Sequence, residues 1–197
     1  MTAMLPFALA VLALLAVPGP TNTLLATSGA AIGMRRSLKL VLAELGGYWL
    51  AIGILIQIVG PLAAHHPIVP ILSKIVASAY LAWSALALWR NAAREAAPGG
   101  EPISVRRVFV TTLLNPKALI FAFAIFPAGD WATLLPFAGL FTALVVGVAC
   151  AWIALGSGLS RSAAGFATPA RVARLAAVAL VLFASVIASS AIAAALS

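Results

Sequence analysis

Asn115, Pro116 and Lys117 stand together inside the apolar run Val108 to Pro127. A helix breaker and a charge thus coincide where the chain has the composition of a bilayer-crossing segment. A charged side chain at the hydrocarbon centre costs about 2.5 kcal/mol or more, so an ionisable group there marks a functional candidate. An ammonium at that depth either saturates carbonyls freed by the break or holds a carboxylate. Glu44 is its counterpart in another apolar run. A carboxylate so placed accepts a proton, binds an ammonium group or pairs with Lys117. Pro18-Gly19-Pro20-Thr21-Asn22 is a second interruption, in the first apolar run. Proline lacks a backbone donor and suits the first turn of a helix. Pro20 and Pro116 are therefore expected to start second half-helices, with Gly19 as the flexible break and Asn115 as an N-cap. Each restart leaves free N–H groups that favour an anion.

Other reactive residue types have no such company. His65-His66 reads as a solvated turn, because two adjacent histidines do not close a metal site. Cys150 is the single cysteine and lies in an apolar run, which rules out an internal disulfide framework. Ser78 and Ser84 have no evident base, which argues against an intramembrane enzyme built on Glu44, His65 or His66. No metal or cofactor is expected.

Positioning these residues requires membrane helices. The 197 residues are 64% hydrophobic and 8% charged, with a mean hydropathy of +1.15. Soluble domains carry about 25% charged residues. The net charge of +8 is confined to short segments between apolar runs, so no basic face exists to track nucleic acid. Six spans are expected near Leu5 to Ser28, Leu38 to Ala63, Ile68 to Trp89, Val108 to Gly129, Leu134 to Gly158 and Val172 to Ala195. The first lacks the basic leading region of a cleaved signal. Trp89 and Trp131 fit interfacial belts, whereas Trp49, Trp83 and Trp152 lie deeper and read as packing residues. Glycines 46, 53 and 60 form a small-residue stripe that predicts close helix approach, and Gly29-x-x-x-Gly33 reads as a packing motif.

The long connection Arg90 to Arg107, with its Ala97-Pro98-Gly99-Gly100 turn, divides the chain. This gives a first three-helix repeat at 1–90, a cytoplasmic linker at 91–105 and a second repeat at 106–197. An odd number of spans per half inverts the halves. Ten of the twelve Lys and Arg residues fall in the odd-numbered connections or at the span ends that adjoin them. The positive-inside rule then puts those connections in the cytoplasm and both termini outside. The expected fold is an all-α integral membrane protein whose two inverted repeats each have a broken first helix. Transporters of this design place substrate between the breaks near the midplane.

The same motifs resemble those of the LysE/RhtB family of amino-acid exporters. Pro18-Gly19-Pro20-Thr21-Asn22 is similar to the family's N-terminal Pro-Gly-Pro signature, with one residue inserted before Asn22. Asn115-Pro116-Lys117, followed by Phe121, Phe123, Phe126 and Pro127, matches its second signature. Ala79 to Trp83 and Trp89-Arg90 add a third similarity. Glu44-Leu45-Gly46-Gly47 departs from the small apolar residues of many relatives and marks a divergent branch. The resemblance implies export of amino acids or similar small carboxylate metabolites across a bacterial-type inner membrane, driven by the proton-motive force. The chemistry of the residues, taken with this resemblance, puts Pro18, Gly19, Pro20, Asn22, Asn115, Pro116 and Lys117 at the expected substrate site, and Glu44, by its own depth and charge, joins them as a substrate ligand and the proton-coupling candidate. The expected partners are the substrate and the lipid bilayer, and the small-residue faces permit a second copy of the chain. An uncoupled small-solute channel is the main alternative.

Overall fold

Proline chemistry shapes both ends of the first interruption. Helix α1 runs Met4–Ala16 and α2 runs Pro20–Ser37. The residue before a proline is driven to extended backbone. Val17 before Pro18 has ψ 121°, and Gly19 before Pro20 has φ −154° and ψ 177°. Between the two helices the axis bends by 65°. This computed structural model describes residues 3–66, 68–91, 103–127, 131–161 and 169–196. The Ala97-Pro98-Gly99-Gly100 turn, Arg94 and Asp130 lie outside them.

Helix α3, Lys39–Ile54, passes through a π-turn at Leu55–Val59 into α4, Gly60–His65, and α5 follows at Ile68–Asn91. The second interruption separates α6, Val105–Leu113, from α7, Lys117–Ile120, which continues as a π-turn at Phe121–Ile125. Helices α8, Trp131–Arg161, and α9, Pro169–Leu196, complete the order. All secondary structure among the described residues is helical. Within them Lys39–Leu62 and Ala132–Gly158 are each long and apolar enough to cross a membrane, and the bent pair α1–α2 makes a third if counted as one span. Helices α5 and α9 hold the shorter apolar stretches Ile71–Ala87 and Leu180–Leu196.

Helix α2 extends further than the expected first span, through the segment Gly33 to Arg36. Gly33 absorbs the turn there at φ 80°, a conformation open to glycine. Ser37 Oγ donates to the Gly33 carbonyl at 2.9 Å and lies 2.8 Å from Ser28 Oγ, which ties the two sides of the kink together.

Apolar side chains face outward and polar ones inward. Leu42, Leu50, Val76, Leu135 and Val186 are exposed, while Asn22, Glu44, Thr112, Asn115 and Lys117 are buried. In water this would be inside out; around a bilayer it is the expected solvation. Trp83, expected as a packing residue, is 64% exposed and belongs to the outward face of α5. Trp49 and Trp152 do pack against the core, and the Trp49 indole N–H donates to Thr142 Oγ1 at 3.2 Å. Trp89 is exposed with the Arg174 guanidinium 5.6 Å from its ring centre.

Three buried clusters carry the packing. One joins α1, α3, the Phe121–Ile125 turn and α8 around Tyr48, Phe121 and Phe141. A second joins α2, α3, α6 and α8 around Leu25, Leu40 and Ile153. The third is α5 against α9. On α3 the change from the second cluster to the first falls at Glu44, between Ala43 and Tyr48. The helix–helix approach expected from glycines 46, 53 and 60 holds in part, since a methyl group at Gly46 would stand 3.6 Å from the Phe109 ring of α6. A methyl group at Gly53 would meet nothing, whereas one at Gly47 would stand 2.8 Å from Thr112 Cβ and 2.9 Å from the Phe109 carbonyl. Gly47 therefore lets α3 press onto α6. Gly29 packs against Ile153 on α8, as its motif suggested.

Candidate functional site

Each helix break leaves carbonyl oxygens without intrahelical donors, and a membrane supplies no water to satisfy them. At the end of α1 these are the carbonyls of Leu15 and Val17. Asn22, on the first turn of α2, folds back so that its Nδ2 donates to Leu15 O at 2.8 Å and to Val17 O at 3.0 Å. Thr23 Oγ1 donates to Gly19 O at 3.0 Å. Replacing Asn22 with leucine leaves Leu15 O without this donor. The expected loss is about 1–3 kcal/mol, read as a lower thermal unfolding midpoint in detergent. An unchanged midpoint would show that the carbonyl finds another donor.

Lys117 serves that same break from across the molecule. Its Nζ donates to Val17 O at 2.6 Å and lies 3.5 Å from where a side chain on Gly19 would begin. Glycine keeps that space open. The ammonium thus caps α1, although it stands on the first turn of α7. Asn115 caps the restart as expected, although the helix starts one residue later than expected. Its Oδ1 accepts from the Lys117 backbone N–H at 3.1 Å, so the helix begins at Lys117 and Pro116 occupies the flanking position.

A second connection has a defined direction. Thr112 Oγ1 is 2.9 Å from Val108 O, Thr21 Oγ1 is 3.2 Å from Thr112 Oγ1, and Asn115 Nδ2 is 3.4 Å from Thr21 Oγ1. A carbonyl only accepts, so Thr112 spends its proton on Val108. It must then accept from Thr21, which accepts from Asn115. Donation runs from Asn115 through Thr21 and Thr112 to Val108. The two interruptions are joined by this chain and by Lys117.

Glu44 reaches the same region from α3. It is 2% exposed, and its charge and that of Lys117 act on each other without a direct ion pair among the described residues. Its Oε2 has no hydrogen-bond partner. One turn further along α3, the buried Tyr48 Oη is also without one. Of the residues expected at the site, Asn22 and the segments 18–20 and 115–117 therefore meet around Val17 and Thr21, with Glu44 within electrostatic reach. Sequence reasoning missed Tyr48, Thr21 and Thr112. Spacing marked the first, since Tyr48 is four residues after Glu44 and shares its helix face.

His65 and His66 are exposed at the end of α4. Among the described residues no three His, Cys, Asp or Glu side chains are grouped to hold a metal ion. Cys150 is half-buried beside the second apolar cluster.

The family model for the LysE type translocator matches residues 12–191, nearly the whole chain and both interruptions. The chain belongs to that family. LysE type translocators are membrane transporters and not an enzyme family, which accords with the apolar helices described above. Comparison with curated proteins and with solved structures yields no significant match.

Proposed function

We propose that this LysE type translocator is a secondary active exporter of amino acids or related small carboxylate metabolites, coupled to proton influx. The observation that carries the reading is the joint burial of Lys117 and Glu44 where two broken helices meet, with Glu44 Oε2 unpartnered. Intramembrane ionisable groups at discontinuous helices mark substrate and ion pathways.

The roles follow from donor counts. An ammonium has three donors, and Val17 O takes one from Lys117. The others are directed to a substrate carboxylate, with Asn22 and Asn115 shaping the breaks on either side. Glu44 takes a substrate ammonium or a proton, but not both together. Mutually exclusive occupancy makes an exchanger, because the site returns protonated after releasing its substrate. Inverted three-helix halves would let the two sides of the site open in turn. The packing supports such a relation, since α1 lies on α8 while α6 lies on α3. Exchanging the corresponding elements of the halves interconverts these pairs. The inferred setting is a bacterial-type inner membrane with both termini outside, from the distribution of Lys and Arg.

The test uses right-side-out vesicles holding the purified protein and loaded with the twenty common amino acids. Acidifying the exterior is expected to speed release of a subset several-fold. Release at one rate with and without the gradient would favour an uncoupled pore.

A further inference from the structure

Glu44 Oε2 and Tyr48 Oη, the two unpartnered buried oxygens of α3, lie on one helix face a turn apart. The carboxylate charge acts on the phenol. Leaving a buried polar group without a partner is a large local cost in a protein interior. A phenylalanine at position 48 would keep every ring contact and avoid it. The hydroxyl is therefore not explained by packing.

Nor can that hydroxyl turn away. The Tyr48 ring meets Phe121 edge-on with centroids 5.4 Å apart and Phe141 at 6.1 Å, and those two rings are themselves 4.9 Å apart. Aromatic packing thus holds the ring that carries Oη, on the helix face it shares with Glu44. The arrangement offers one anionic acceptor and one neutral oxygen inside an aromatic wall. A ligand carboxylate would be repelled by Glu44. A primary ammonium suits this chemistry, because it brings positive charge with several N–H donors. Lys117 does not fill that role here, since its Nζ is drawn to Val17 O.

We infer that Tyr48 and Glu44 together form the subsite for the substrate's primary ammonium group, so that Tyr48 is a specificity-determining residue of the transport site. This rests on the exporter reading and names the group by which the substrate is chosen. Des-amino carboxylic acids fall outside the specificity, and N,N-dimethylated amino acids, with fewer donors, are poor ligands.

The experiment compares wild-type protein and Tyr48→Phe in vesicles loaded with the twenty common amino acids or with their des-amino counterparts. The exported amino acids are expected to show an apparent KM about tenfold higher in Tyr48→Phe, with a smaller change in maximal rate. Thermal stabilisation of the detergent-solubilised wild type provides a measurement that needs no variant. Amino acids are expected to raise its unfolding midpoint and des-amino acids to leave it unmoved. An unchanged KM in Tyr48→Phe overturns the role of Tyr48 while leaving export intact. Equal stabilisation by both ligand sets overturns the ammonium subsite. If no amino acid is exported or stabilising, the exporter reading itself falls, and this subsite with it.

Discussion

Alanine at Gly156 is expected to leave little folded protein in the membrane, and alanine at Gly29 is expected to do the same. Helices α2 and α8 cross at these two glycines, where a methyl group on Gly156 would run into the Ala26 carbonyl and one on Gly29 into the Ile153 carbonyl. Both obstacles are backbone atoms, which cannot rotate aside as the end of a side chain would. Ser157 Oγ donates to the Gly29 carbonyl at 2.9 Å, so separating the helices also breaks a buried hydrogen bond. Overpacking a well-filled core costs typically 1–3 kcal/mol, and a reciprocal backbone clash belongs at or above about 3 kcal/mol. The check is the yield of monodisperse protein after extraction, with Gly158→Ala as the control because a methyl group there meets nothing. Normal yield from Gly156→Ala would mean that α2 and α8 do not cross this closely.

That crossing was only half legible in the sequence, and the reason is physical. Proline acts on its immediate neighbours, so Pro18, Pro20 and Pro116 announced both interruptions, and Asn115 announced its capping role. Glycine acts through whatever faces it. Gly29 reads as a packing residue, but the sequence cannot name Ile153 as what faces it, nor α6 as what presses on Gly47. Lys117 shows the same limit. Its depth and charge were plain, but its partner is the Val17 carbonyl, a main-chain atom that no residue type marks. Tyr48 was hidden in a different way, since an aromatic residue on an apolar face looks like core until its hydroxyl is found without a partner.

The second large effect concerns the two buried charges. Glu44→Gln leaves Lys117 without its counter-charge, and Lys117→Met leaves Glu44 alone while also removing a donor from Val17 O. Breaking a direct buried ion pair costs about 3–5 kcal/mol, and these two groups, which act on each other without such a pair, belong below that figure, whereas replacing both by neutral groups is often close to neutral. Each single variant is therefore expected to be less stable than wild type. The double variant should recover most of that loss, a non-additivity expected of coupled sites. Transport follows a different rule. All three variants lack a group assigned to the substrate or the proton, and efflux is expected to fall by about ten- to a hundredfold in each. Stability that recovers while transport does not would separate holding the fold from moving the substrate.

The folded double variant thus makes the decisive comparison. In loaded vesicles with an acidic exterior, wild-type protein is expected to release amino acids faster as the gradient grows, while Glu44→Gln/Lys117→Met, present at equal density and equally well folded, shows no gradient-driven release. Wild-type, gradient-dependent efflux from that double variant would contradict the assignment of Glu44 and Lys117 to the transport site.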